Sequence, residues 1–307
     1  MKNSFRVHAA LFLTALIYAA NYSLSKDVMP RYAQPFGLVV LRTMGAALFF
    51  GIISQLVTKD RIRGRADNIR AILSGVIGIG ANQMLFFGGL NLTTPINASL
   101  VQTVSPIVVV LASAVLLKEK IRPVRVVGIL VAGFGAALIV LSRSSNALVP
   151  ASNPTLGNIL ILLNATAFGI YLVIVMPLMR KYHPFTVLSR VFLVGAAVAL
   201  PFGWQQAREI DYGHLPPMIW AEILYMVFCL TILAYLLNNW ALKYASPTLT
   251  GAYLYLQPVL AAFIAVGLGK DTFTVQKALQ ASLIFIGVFL VSRKPKAQPV
   301  LVEPVVE

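Results

Sequence analysis

Apolar residues run through this chain in ten stretches of about twenty, divided by short polar segments, at about 7–28, 36–57, 70–90, 96–117, 124–142, 156–179, 185–204, 217–240, 248–268 and 276–292. About 20 apolar residues in a helix cover the roughly 30 Å hydrocarbon core of a bilayer. Each stretch is therefore predicted to be one membrane-spanning helix (spans 1–10). Several stretches begin or end at Pro35, Pro154, Pro184 or Pro216, where helices tend to break. The expected fold class is an all-α membrane protein of ten transmembrane helices. Span 1 follows Lys2 and Arg6 and ends near small residues, as a signal peptide would. With nine spans behind it, it reads as a retained anchor.

Composition agrees: 58% of the 307 residues are hydrophobic and 11% charged, against about a quarter charged in soluble domains. The one cysteine, Cys229, excludes an internal disulfide and a cysteine-built metal cluster. A net charge of +15 would suit nucleic acid, but the basic residues lie between the spans. One side collects Lys2, Arg6, Lys59, Arg61, Arg63, Arg65, Arg70, Lys118, Lys120, Arg122, Arg125, Arg180, Lys181, Lys243, Arg293, Lys294 and Lys296. The other receives Arg31, Arg143, Arg208, Lys270 and Lys277. The positive-inside rule then places both termini in the cytoplasm, as an even span number requires. The proline-rich tail, 294–307, is expected to be disordered.

A shift of 152 residues lays Leu90-Asn-Leu-Thr-Thr-Pro95 on Leu242-Lys-Tyr-Ala-Ser-Pro247, Pro106 on Pro258, Glu119 on Asp271 and Gly135 on Gly287. At slightly smaller offsets, Val28-Met-Pro30 matches Val175-Met-Pro177, and Pro35-Phe36 with Arg42 matches Pro184-Phe185 with Arg190. The chain divides into two five-span repeats, 1–143 and 156–293. Five is odd, so the second half enters the membrane from the opposite face. Such inverted repeats characterise secondary transporters, with substrate held near the midplane between the halves.

Tyr18-Ala-Ala-Asn21 with Lys26, Arg42, Pro106, Leu116-Leu-Lys-Glu119, Leu256-Gln-Pro258 and Gly269-Lys-Asp271 occur in an order that resembles the drug/metabolite transporter superfamily, in its ten-helix branch built from two EamA domains. Tyr18 stands where tryptophan is usual in that family, and Asp271 where glutamate is commoner. The resemblance implies a carrier of the cytoplasmic (inner) membrane, exporting or exchanging amino acids or other small metabolites. Its central cavity would be lined mainly by spans 1, 3, 4, 6, 8 and 9.

Polar side chains inside lipid are costly and face protein or a wet cavity, so helical spacing can locate that cavity. Thr14, Tyr18, Asn21 and Ser25 share one face of span 1. Asn164 and Tyr171, with Phe168 between, do so on span 6; Thr231, Tyr235 and Asn238 on span 8; and Thr250, Tyr253 and Gln257 on span 9. Span 3 adds Asn82 and Gln83, and span 4 Gln102 with Ser105. The candidate substrate-binding set is Tyr18, Asn21, Asn82, Gln83, Gln102, Asn164, Tyr171, Tyr235, Asn238, Tyr253 and Gln257. Amides bonding helix to helix, worth about 1 kcal/mol each, are the competing reading of each residue.

Arg42 and Arg190 each sit about two turns inside a span. They could grip a substrate carboxylate, although snorkelling or holding a neighbouring helix carbonyl is favoured for both. Lys26 is read as snorkelling, and Glu119 and Asp271 as pairing or capping locally. Ala15, Ala19 and Ser23, and Gly128, Ala132 and Ala136, have the spacing of close helix packing. Gly75, Gly78, Gly80 and the pair Gly133 and Gly135 lie inside spans and are rejected as a nucleotide loop.

No carboxylate or histidine relay crosses the midplane, so facilitated diffusion or exchange is as well supported as ion coupling. No catalytic residue, metal or cofactor is expected. An intramembrane enzyme acting on lipid-linked substrates remains the alternative. The expected partners are a small-molecule substrate and the lipid bilayer, with a homodimer left open and no nucleic acid.

Overall fold

The computed structural model describes residues 2–116, 123–141, 151–242, 253 and 256–292. Among the described residues the elements are ten helices: α1 (Lys2–Val28), α2 (Pro35–Val57), α3 (Arg65–Leu92), α4 (Pro95–Gln102 continued by Ser105–Leu116), α5 (Pro123–Leu141), α6 (Pro154–Lys181), α7 (Pro184–Arg208), α8 (Pro217–Tyr225 through Ala234–Leu242), α9 (Leu256–Gly267) and α10 (Val275–Ser292). Seven are long and apolar enough to cross a membrane; in α5, α9 and α10 the described apolar helix is shorter. The fold is an all-α membrane bundle, as the hydropathy predicts. Glu119 and the tail from Lys294 lie outside the described residues.

Proline supplies the first helical residue of α2, α4, α5, α6, α7 and α8. That position needs no amide hydrogen, and the fixed φ suits the first turn. Thr94 and Asn153 complete two of these starts, their side chains accepting from Asn97 N at 3.3 Å and Leu156 N at 3.2 Å. Pro106 breaks α4 as its ring requires. The chain turns at Thr103–Val104, where Val104 N bonds Val101 O at 3.1 Å, before the helix resumes.

The packing is two-fold in pattern. α2 lies along α7 and α5 along α10, each helix against its own repeat mate. α1 packs on α9 and α8, as α6 packs on α4 and α3; α3 meets α7 as α8 meets α2. Exchanging the halves maps each of these contacts onto another. Close approach is set by glycine. A Cβ on Gly287 of α10 would lie 2.4 Å from Ala132 N and 2.5 Å from Gly128 O of α5, and one on Gly203 of α7 would lie 2.2 Å from Phe36 O of α2.

Two π-helical segments interrupt the regular helices, Val76–Ala81 in α3 and Met226–Leu233 in α8. The 152-residue offset carries 76–81 onto 228–233, so the irregularity is itself repeated. A π turn takes in one more residue than an α turn, which frees carbonyls and rotates whatever follows.

Candidate functional site

We call the end of the bundle where α1 begins the near end, and the end where α1 finishes the far end. A cavity of about 120 Å³ lies between the halves, room for about four waters. From the first half, α1 contributes Tyr18, Asn21 and Tyr22, and α2 contributes Arg42. α3 adds Asn82, Gln83, Phe86 and Phe87, while the broken α4 presents Ser99, Gln102, Thr103, Ser105 and Pro106. From the second half come Asn164 and Phe168 of α6, Leu230 and Tyr235 of α8, and Gln257 of α9.

The amides are held unequally. Asn82 and Asn164 form a reciprocal clamp between α3 and α6: each Nδ2 donates to the other's backbone carbonyl, at 3.1 and 2.7 Å. Asn21 Oδ1 accepts from Ser25 at 2.8 Å. Gln102 Nε2 reaches Ser105 Oγ at 3.3 Å. Three buried acceptors of the cavity wall, Gln83 Oε1, Gln102 Oε1 and Asn164 Oδ1, receive no hydrogen bond from the described residues.

Tyr18, Asn21, Asn82, Gln83, Gln102, Asn164, Tyr235 and Gln257 thus surround one space. Tyr171, Asn238 and Tyr253 do not line it. Tyr171 is buried in the core between α3, α6 and α7, filling the notch left by Gly78, where a Cβ would sit 2.1 Å from its ring. Asn238 is half-buried near the end of α8. Tyr253 stands at the near end, its hydroxyl 2.8 Å from His8 Nδ1.

Arg42 is buried, whereas its repeat mate Arg190 is exposed. Arg42 Nε donates to Met226 O at 3.2 Å and Thr231 Oγ1 at 3.0 Å, and its guanidinium lies 4.7 Å from the centre of the Phe87 ring. It does hold a helix carbonyl, at the start of the π segment of α8. Hydropathy alone gave no sign of that segment. The aromatic pair Phe86 and Phe87, together with Ser99 and Thr103, also escaped the polar stripes. Short apolar and hydroxyl side chains carry no periodic polar signal.

Charged groups strap the far end. Lys26 does not snorkel: it is buried, and its Nζ caps the last turn of α3 through Leu90 O at 3.3 Å and Asn91 O at 3.0 Å. Lys270, in the turn after α9, pairs with Asp27 and donates to Ser23 O at 3.1 Å. Asp271 accepts from Ile96 N at 3.2 Å and Lys277 Nζ at 2.6 Å, joining the start of α4 to α10. At the near end, Asp67 accepts from Lys181 at 2.5 Å and from Tyr182 at 2.8 Å.

Comparison with known proteins gives the family. The EamA-like transporter family matches the chain twice, over residues 6–141 and 155–293. An uncharacterized transporter, YyaM, of Bacillus subtilis (strain 168) is 24% identical over 288 residues, 93% of each chain. A protein named as a probable terminal-alkyne amino-acid exporter, from Streptantibioticus cattleyicolor, is 26% identical over 262 residues, 85% of each chain. One solved crystal structure shares the fold with a TM-score of 0.63 at 20% identity, covering 92% of this chain and 97% of that one.

Proposed function

The chain belongs to the EamA-like transporter family, and from that premise we propose that it moves amino acids or similar small metabolites across the cytoplasmic membrane by alternating access. It is a multi-pass membrane transporter; the substrate class and the cycle are our reading. One observation carries it: a cavity lined by amides and phenols from both halves of the chain, the place where a carrier of two inverted repeats holds its solute. Uncharged donors and acceptors select a polar solute without the cost of several buried charges. Phe86, Phe87 and Leu230 supply apolar wall for its remainder. The name of the Streptantibioticus relative supports amino acids, and export, as the class and direction to test first.

In this reading the near end, where the basic loops lie, faces the cytoplasm. The two five-helix repeats rock about the α2–α7 and α5–α10 contacts. The far-end straps must break for the cavity to open outward. Eight residues, Tyr18, Asn21, Asn82, Gln83, Gln102, Asn164, Tyr235 and Gln257, are proposed to contact solute; Tyr171, Asn238 and Tyr253 are proposed to act in packing and closure.

Purified protein in liposomes, preloaded with unlabelled amino acids and assayed for uptake of each radiolabelled amino acid, tests the proposal. Counterflow of at least one of them above empty liposomes is the expected result. No counterflow of any amino acid, from protein that is folded and inserted, would refute the substrate class.

A further inference from the structure

We infer that Arg42 is the anion site of this cavity and binds a carboxylate on the solute, an inference that rests on the transport reading above. Among the described residues that line the space, Arg42 alone is formally charged, and none is a carboxylate. The side chain is 5% exposed, and a guanidinium so buried is costly unless an anion or several dipoles compensate it. What it has falls short of that. Its protein hydrogen bonds among the described residues all leave from Nε, to Met226 O and Thr231 Oγ1. The two terminal nitrogens of the fork, the pair that meets a carboxylate in a bidentate contact, make none.

A purely structural role explains the residue poorly. Thr231 Oγ1 already donates to Met226 O at 2.7 Å, so the carbonyl that Arg42 reaches is satisfied without it. Nor is the charge a property of the fold, since the repeat-equivalent Arg190 is exposed. The Phe87 ring, its centre 4.7 Å from the guanidinium carbon, adds a cation–π contact that holds the head group against the cavity wall.

The same cavity holds complementary acceptors. Gln83 Oε1, Gln102 Oε1 and Asn164 Oδ1 are buried without donors among the described residues, and each left unfilled is unfavourable. A solute with a carboxylate at one end and an ammonium or hydroxyl group beside it satisfies both features. A simple amine does not, because it would bring a second positive charge against Arg42.

The test compares L-leucine, L-phenylalanine, L-threonine and L-methionine, each against its own carboxamide, in proteoliposomes. The carboxamide keeps the shape and the amine and removes the negative charge. Wild-type protein should prefer the acid by about tenfold or more in at least one pair, the worth of a charge-assisted bond. Arg42→Gln should bring that preference below about threefold, and Arg42→Lys should keep part of it. Equal transport of acid and amide by the wild type overturns the inference and leaves the transport reading standing. Transport of no acid or amide overturns both. If Arg42→Gln lowers acid and amide alike, the residue is structural and the inference fails. Should that variant not fold, the wild-type ratio and Arg42→Lys decide.

Discussion

Removing the Lys270 ammonium should open the cavity toward the far side. Lys270 Nζ joins the turn after α9 to α1 through Asp27 and Ser23 O. The lysine side chain is 11% exposed and the Asp27 side chain 37%, so solvent screening holds the ion pair to about 1 kcal/mol. The bond to the Ser23 carbonyl adds about 1 kcal/mol. Lys270→Met keeps the apolar stem and removes both, costing the far-closed state about 2 kcal/mol. That shifts the balance between closed and open about 30-fold. The reporter is a cysteine at Ser99, which lines the cavity and is buried, placed in a Cys229→Ser background. Its rate of reaction with a membrane-impermeant maleimide, added from the far side of oriented vesicles, should rise by about that factor. A rate within twofold of the parent protein, in a variant that folds and inserts normally, would mean that the strap does not hold the cavity shut.

Gln257→Leu removes one amide from the cavity wall at similar volume and should weaken solute affinity about fivefold, the worth of one hydrogen bond; unchanged affinity for every solute in counterflow assays would mark it as packing. Gly287→Ala forces a Cβ to 2.4 Å from Ala132 N and should lower stability by about 1–3 kcal/mol in denaturant titrations, whereas Gly133→Ala, with nothing within 4 Å, should lose none. Single cysteines at Asp60 and at Gly213, again without Cys229, should label from the cytoplasmic and external sides respectively; labelling of position 60 from outside intact cells would invert the topology.

The spans were legible because a bilayer-crossing helix averages hydropathy over some twenty residues, and errors of a few residues cancel. The cavity face was legible on α1, where Tyr18 and Asn21 fall on one stripe and both reach the space. On α8 the stripe of Thr231, Tyr235 and Asn238 assumes a regular 3.6-residue turn. The π segment Met226–Leu233 breaks that assumption between Thr231 and Tyr235; Asn238, a regular turn beyond Tyr235 and closer to the end of the helix, does not line the cavity. Tyr171 was lost to the stripe for another reason. Gly78, far away in sequence, opens a notch that only a large ring fills, and no local pattern announces it. The role of Arg42 depends on Met226 and Thr231, 184 and 189 residues away, and such a pairing is invisible to periodicity.

The lone guanidinium also gives membrane voltage something to act on. When gates alternate around a fixed site, the cavity mouth carries bulk potential inward, so Arg42 experiences one side's potential in one state and the other side's in the next. A full unit charge crossing the field is worth about 2.3 kcal/mol per 100 mV. In the proposed cycle the empty carrier would therefore reorient electrogenically; a zwitterionic amino acid adds no net charge and leaves the loaded step equally sensitive to voltage, whereas a 2-hydroxy acid, with a carboxylate and no ammonium, would cancel the charge of Arg42. Transient currents on supported membranes should register the empty step and vanish at saturating 2-hydroxy acid but not at saturating amino acid; currents unaffected by the hydroxy acid, where it is transported, would contradict this.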